Sequence, residues 1–156
     1  MADQDTATVR LQELGIELPE PTTPVAAYVP VAQTGSLCFV SGQIPIVEGA
    51  LVAKGSVPSE VSEERAAECA RICAINALAA LQGHLGSLER IKRVVRVGVF
   101  VASDAGFGGQ PKVANGASEL LQEVFGEAGR HARAAVGCSA LPLNVPVEVE
   151  LIVEVE

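Results

Sequence analysis

The side chains best suited to chemistry lie in the last third of the chain, where one arginine and one glutamate fall in two neighbouring predicted strands. Arg133 stands among small and apolar residues, and Glu148 belongs to a segment that alternates Val with Glu. An unpaired guanidinium in an apolar strand is costly, so Arg133 needs an anionic partner. If the strands pair antiparallel about a centre near residues 140 and 141, Arg133 falls opposite Glu148. That pair predicts an active site, with a depressed pKa for the Glu148 carboxyl beside the arginine.

Both residues also have a purely structural interpretation. A salt bridge from Arg133 to Glu148 or Glu150 would fix the sheet, and from the two strands alone this interpretation has the stronger support. The alternation of Val with Glu is typical of a strand with one solvated face, which we expect for the last glutamates of the chain. His131 is expected at the rim rather than as a catalytic base, because no Ser or Asp spacing supports a triad.

Composition limits the class of protein. The chain has 156 residues, 49% of them hydrophobic, which suffices for one domain with a sizeable core. Only five residues are aromatic, so the apolar surface is aliphatic, and its excess over one core predicts a subunit interface. The longest apolar runs are too short for a bilayer span. A net charge of −8 without a basic stripe argues against a nucleic-acid partner.

The four cysteines predict neither a disulfide framework nor a metal site. They stand at positions 38, 69, 73 and 138, without CxxC spacing, and the chain has only two histidines to join them. Cys69 and Cys73 share a helix face and are expected to be small buried hydrophobes. We therefore expect no metal and no cofactor. Reduced thiols and an amino terminus unlike a signal peptide favour a cytoplasmic location.

Periodicity and breaker residues predict the elements that must position the site. Helices are expected over residues 6–14, 62–81 and 112–125, and strands over residues 28–33, 36–40, 50–54 and 91–102 before the final two. Gly83 is expected to end the middle helix, and Val94 and Val95 to point to opposite sides, Val95 sharing its side with Val97. The order ββ(β)αβαββ predicts an α+β fold with the helices on one face of the sheet.

Two further segments carry weaker signals. The run Ser41-Gly42 breaks the second predicted strand, where Gly42 supplies an unusual backbone angle and Ser41 is free to donate to a ligand. Residues 106–111 form a glycine-rich loop before a helix but lack the P-loop pattern. Asn115, one turn into that helix, has ordinary surface polarity as its simplest interpretation.

Taken together, these segments resemble the RidA/YjgF family. The matches appear in the family's order from about residue 24 to the carboxyl end: Ala27-Tyr28, Val40-Ser-Gly-Gln-Ile-Pro45, Val113-Ala-Asn115, Arg133, Leu141-Pro142 and Val147-Glu-Val-Glu150. The resemblance implies a chorismate-mutase-like fold, a mixed sheet with two main helices on one face, here with a short additional N-terminal helix. It also implies a homotrimer whose ligand sites lie in clefts between subunits. Residues 1–23 would then be an N-terminal helix and Pro-rich connector, and residues 24–156 the family domain.

The resemblance also implies roles for individual residues. Arg133 matches the arginine that holds a substrate carboxylate, and Glu148 matches the glutamate that assists a water molecule. The residues matched to the lining of the same cleft are Tyr28, Ser41 with Gly42, and Asn115. Ala135 stands where archetypal members often have Cys, and the N-terminal extension is a second departure from the archetype.

Three functions follow from this resemblance. The first is an imine/enamine deaminase that hydrolyses reactive 2-imino acids of the 2-aminoacrylate type to 2-oxo acids and ammonia. The second is a non-catalytic trimer that binds small carboxylates or a protein partner. A ribonuclease comes last, because the acidic charge opposes RNA binding. Neither nucleic acid nor a membrane is an expected partner.

Overall fold

A computed structural model of the protein describes residues 6–21, 23–24 and 26–156, so the first five residues of the predicted N-terminal segment lie outside it. The helices are α1 (Ala7–Glu13), α2 (Glu63–Leu85) and α3 (Gln110–Phe125). The strands are β1 (Val31–Thr34), β2 (Leu37–Gln43), β3 (Ile46–Val47), β4 (Ala50–Leu51), β5 (Ile91–Ala102), β6 (Ala132–Cys138) and β7 (Val147–Val155). Each long predicted element is present.

Five strands form one mixed sheet in the order β1-β2-β7-β5-β6, and β3 and β4 form a separate small hairpin. All neighbours in the large sheet are antiparallel except β5 and β6, which are parallel because the chain crosses between them through α3. Both α2 and α3 pack on the same face of this sheet. The prediction of an α+β fold with helices on one face is confirmed.

The predicted antiparallel pairing of the last two strands is wrong. β5 lies between β6 and β7, with Val97 paired to Arg133 on one side and to Leu151 on the other. The chain leaves β6 through a short turn at Pro142–Asn144, in which Leu143 has φ of 59°. β7 therefore enters the centre of the sheet, where its valines are fully buried, and the largely exposed β6 becomes an edge strand.

The core lies between the sheet and α2, whose inner face is built from small residues. Ala66, Ala70, Cys73 and Ala77 have no exposed surface, so this helix lies close against the sheet. A Cβ at Gly116 of α3 would overlap a backbone carbonyl of α2, which shows how closely the two helices approach. Cys69 is buried in the same layer, as predicted for both helical cysteines.

Three local details of the predicted helices and strands differ in the structure. α2 continues past Gly83 and ends at Gly86, whose φ of 79° is the left-handed value of a helix C-cap. β2 runs through the Ser41-Gly42 segment with a register shift instead of breaking there. β5 bulges after Val94, so Val94 joins Val97 on the buried face, contrary to the predicted alternation.

Candidate functional site

Glu148 projects from β7 on the sheet face opposite its buried neighbours and lies at a cavity of about 370 Å³ that reaches Asn76 of α2. β7 carries Glu148 beside Phe100 of β5, while its buried neighbours Val147 and Val149 face α2. The cavity is lined by residues from the N-terminal segment, β2 and the turn before β7: Thr23, Pro24, Tyr28, Pro30, Ser41, Gly42, Gln43, Ile44, Ile46, Asn76, Pro142, Leu143 and Glu148. Three residues from separate parts of the sequence, Tyr28, Ser41 and Glu148, therefore meet here.

Gly42 makes room for the Glu148 carboxylate. A Cβ at residue 42 would overlap that carboxylate and lie 2.9 Å from its Cδ, so a larger side chain would displace it. The register shift of β2 places Gly42 there. The Ser41 hydroxyl donates to the Val29 carbonyl oxygen at 2.6 Å, and the Ser41 amide donates to Pro30. Ser41 thus fixes the segment between Tyr28 and β1, and Ser41 itself lines the cavity.

The pKa of the Glu148 carboxyl is raised, first by burial and second by the neighbouring charge of Glu150. This is opposite to the depressed pKa expected from a nearby Arg133. Glu150 itself pairs with Arg96 at 3.3 Å on the same open face of the sheet. A raised pKa keeps the Glu148 carboxyl protonated to a higher pH than usual, so its acid and base forms are both available closer to neutral pH, which suits general acid and base chemistry.

Arg133 lies on the other face of the sheet, at the edge formed by β6. Its Nη1 donates to Asn115 Oδ1 at 2.8 Å and to Ser118 Oγ at 3.2 Å, both on α3. Among the residues that the structure describes, no carboxylate forms an ion pair with Arg133. The interpretation of Arg133 as a structural salt bridge to Glu148 or Glu150 is therefore wrong. Two neutral acceptors orient an exposed guanidinium and leave its charge available to an anion.

His131 extends the same hydrogen-bond chain. Its Nδ1 is 2.6 Å from the Gly129 carbonyl oxygen, which only accepts, so Nδ1 carries the proton. Nε2 then accepts from the Ser118 hydroxyl at 2.9 Å, and Ser118 accepts from Arg133. Burial lowers the pKa of His131, against a smaller rise from the Gly129 bond, and the charge of Arg133 lowers it further. His131 is a neutral link that positions Ser118, in keeping with the predicted rim position.

The candidate residues form two separate groups in one chain. Tyr28, Ser41, Gly42 and Glu148 meet at the Glu148 cavity, whereas Arg133 and Asn115 meet at the β6 edge on the opposite sheet face. We call these the glutamate half-site and the arginine half-site. Within the described part of the chain, no group of three or more His, Cys, Asp or Glu side chains is arranged to hold a metal ion.

Two parts of the glutamate half-site were not predicted from the sequence, Asn76 and the N-terminal connector. Asn76 of α2 donates through Nδ2 to the Ile44 and Ile46 carbonyl oxygens at 3.0 and 3.1 Å, which fixes the segment below the cavity. An asparagine in the small apolar face of a helix was the available signal. Thr23 and Pro24 of the N-terminal connector also line the cavity, and the sequence offers no signal that they would.

The chain matches a known family over nearly its whole length. The family described as "YjgF/chorismate mutase-like, putative endoribonuclease" matches residues 8–155. The chain belongs to this family, as the sequence motifs predicted. No helix among the described residues is long and apolar enough to cross a membrane.

Several relatives are similar over most of their length. Protein TCP17 of Trypanosoma cruzi is 46% identical over 147 residues, covering 92% of this chain and 91% of that protein. The structure of Atu1372 from Agrobacterium tumefaciens, described as of unknown function, is 44% identical with a TM-score of 0.89, covering 97% of this chain and 93% of its own. The YjgF gene product of E. coli is 25% identical with a TM-score of 0.62, covering 86% of this chain and 92% of its own.

Proposed function

We propose that this protein hydrolyses reactive 2-imino acids, and their enamine tautomers such as 2-aminoacrylate, to 2-oxo acids and ammonia. The observation that carries the proposal is the pairing of two incomplete half-sites. One offers a carboxyl with a raised pKa in a cavity, and the other offers a guanidinium that is oriented by neutral groups and lacks a carboxylate partner among the described residues. A substrate with a carboxylate beside an electrophilic carbon needs both groups.

The proposal places the active site between two copies of the chain, in a homotrimer. Arg133 and Glu148 occupy opposite faces of one sheet, so the Arg133 of one subunit must approach the Glu148 of the next. The open sheet face carries apolar side chains suited to such contact, with Phe39 42% exposed and Val136 46% exposed. One face meeting a different edge is a heterologous contact, and repetition around a threefold axis closes it into a ring.

The chemistry requires no more than these groups. Arg133 binds the substrate carboxylate and fixes the imine carbon near Glu148. Glu148 as carboxylate takes a proton from a water molecule while the water oxygen bonds to the imine carbon. Glu148 then returns that proton to the nitrogen, which gives a carbinolamine. In a second transfer, Glu148 takes the proton of the carbinolamine hydroxyl and delivers it to the nitrogen as the carbonyl forms and the carbon–nitrogen bond breaks, so that ammonia and the 2-oxo acid leave. Proton transfer of this kind contributes about 10²–10⁴-fold to the rate.

The test is ammonia release from freshly generated 2-aminoacrylate, compared between wild type and Arg133→Ala. We expect Arg133→Ala to lose at least about tenfold in kcat/KM, since an ionic hydrogen bond to substrate contributes about 1.5–3 kcal/mol. Arg130→Ala is the matched control. Arg130 lies near Arg133 at the β6 edge but pairs only at 3.6 Å with the exposed Glu127, so its loss should change kcat/KM little.

Two results would reject the proposal. Wild-type protein that releases no ammonia above the spontaneous rate is not a deaminase. If that protein still binds 2-oxo acids through Arg133, it is a carboxylate-binding member of the family instead. Equal activity of wild type and Arg133→Ala would remove Arg133 from the site.

A further inference from the structure

The N-terminal connector reaches the Glu148 cavity. We use this name for residues 17–24, of which the structure describes residues 17–21, 23 and 24. Thr23 and Pro24 form part of the cavity wall. Further back, Pro19, Glu20 and Pro21 cover a second cavity of about 240 Å³. This second cavity is the space between the connector, the β3–β4 hairpin and α2.

The two cavities adjoin. They share three lining residues, Gln43, Ile46 and Asn76. Asn76 Nδ2 donates both of its described hydrogen bonds to backbone carbonyl oxygens, those of Ile44 and Ile46, so its donor group is already occupied. Ala79 and Ala80 form the α2 side of the second cavity, and Ala79 is 2% exposed. The wall of the second cavity is aliphatic and proline at Pro19, Pro21, Ile46, Ala79 and Ala80, and polar at Glu20, Gln43, Glu48 and Asn76.

Gly83 anchors the connector to α2. A Cβ at residue 83 would lie 2.7 Å from Pro21 Cγ, closer than real Cβ atoms approach, so the absence of a side chain lets Pro21 lie on the helix. Glycine in a helix interior costs about 1 kcal/mol relative to alanine. α2 contains Gly83 two residues before its last residue, Leu85, and the contact with Pro21 accounts for it.

We propose that the connector sets substrate specificity by extending the Glu148 cavity into a channel for an unbranched aliphatic side chain. This inference rests on the proposed function, because it assumes that the carboxylate end of the substrate lies between Glu148 and Arg133. The side chain of the 2-imino acid then runs past Ile46 towards Ala79, beneath Pro19 and Pro21. The preferred substrates are 2-imino acids with straight side chains of several carbons, ahead of three-carbon substrates.

Cavity size supports this substrate class. The second cavity adds about 240 Å³ to the about 370 Å³ of the Glu148 cavity. The second cavity adds room for further methylenes, and each buried methylene strengthens binding about fourfold.

The experiment measures affinity for a homologous series of products, 2-oxobutanoate, 2-oxopentanoate and 2-oxohexanoate, by calorimetry. We expect the Kd of wild type to fall about fourfold at each step, since each step buries one more methylene. Binding is chosen as the readout because it does not require turnover. The same series of 2-imino acids, generated in place by an amino acid oxidase, reports kcat/KM in parallel.

Two variants test the route of the channel. Gly83→Ala pushes Pro21 off α2 without touching the Glu148 cavity, and Ala79→Leu fills the second cavity from the helix side. Either change should reduce the gain from the first to the last member of the series to about twofold or less, with 2-oxobutanoate affinity unchanged. The control is His84→Ala, the neighbour of Gly83, whose ring bonds Gln33 of β1 instead.

Each outcome has one meaning. Loss of the chain-length gain in either variant, with His84→Ala behaving as wild type, supports the channel. A flat wild-type series, or a full gain retained in both Gly83→Ala and Ala79→Leu, overturns it. If the protein turns over 2-imino acids but its affinity does not depend on chain length, the deaminase proposal holds and the channel proposal is wrong. If affinity rises with chain length but there is no turnover, the channel proposal holds and the deaminase proposal is wrong.

Discussion

Mixed oligomers test directly whether the active site is shared between subunits. Arg133→Ala damages only the arginine half-site, and Glu148→Gln damages only the glutamate half-site. In a ring of identical subunits, each site takes Glu148 from one chain and Arg133 from the next. A site is intact when an Arg133→Ala chain supplies the glutamate and a Glu148→Gln chain supplies the arginine.

The expected activity follows from counting these arrangements. If a fraction p of the chains is Arg133→Ala and mixing is random, the fraction of intact sites is p(1−p). Equal mixing restores about one quarter of wild-type specific activity, although each parent alone is nearly inactive. The quarter does not depend on the number of subunits in the ring, so sedimentation equilibrium of the wild type must establish the trimer separately.

The assay unfolds both variants together in denaturant, refolds them, and measures ammonia release at several mixing ratios. The controls are each variant refolded alone and a mixture prepared without unfolding. We expect activity to follow p(1−p), with its maximum at equal mixing. Activity that stays at the average of the two parents at every ratio would mean that both residues act within one chain, and the division into half-sites would be wrong.

Three further predictions concern the state of the charged groups. Because burial and Glu150 raise the pKa of Glu148, the acidic limb of kcat/KM should lie above the ordinary glutamate value of about 4.3; a limb at or below that value would contradict the assignment of Glu148 as the base. A raised pKa means that the folded protein favours the protonated form of the Glu148 carboxyl. The stabilisation of the folded state that this gives is present below the pKa of Glu148 in the unfolded chain, and it is lost as the pH rises through the higher pKa of Glu148 in the folded protein. Glu148→Gln should therefore resist urea better than wild type at pH 7, with the advantage shrinking towards pH 4. Asn115→Asp would give Arg133 a carboxylate partner in place of a neutral acceptor 2.8 Å away, and should weaken 2-oxo acid binding about tenfold, whereas unchanged calorimetric affinity would show that Arg133 does not bind the ligand.

The sequence predicted the elements of the fold well but predicted one strand pairing wrongly. Alternation in β7 shows correctly which residues face the core, because side chains of a strand point to opposite faces. It does not show which strand lies beside it. β6 and β7 are neighbours in sequence and resembled a hairpin, but the twelve-residue β5 pairs with both and separates them.

The same limit applies to the candidate site. Motif resemblance identified Tyr28, Ser41, Glu148, Arg133 and Asn115, and the structure brings these residues together in two groups, not one. Spacing along the chain could not reveal that division, because it depends on which sheet face each strand presents. At Gly83, the sequence carried a clear signal, but the structural reason for that signal is a contact distant in sequence. A glycine near the end of a helical pattern predicts a helix stop, but the contact that explains it comes from Pro21, more than sixty residues earlier.

Three features of the single chain favour its assembly with further copies. Glu148 is buried enough to raise its pKa, Arg133 is held in place without a counter-charge among the described residues, and Phe39 and Val136 leave apolar surface on the open sheet face. In a single chain, each of these features is either energetically unfavourable or a binding group that is not used. If Arg133 and Glu148 formed a direct ion pair within one sheet, that pair would occupy the guanidinium that the proposed site needs for the substrate carboxylate. Placing them on opposite faces keeps both groups free until a second copy covers the apolar surface, and we infer that assembly and formation of the active site are one event.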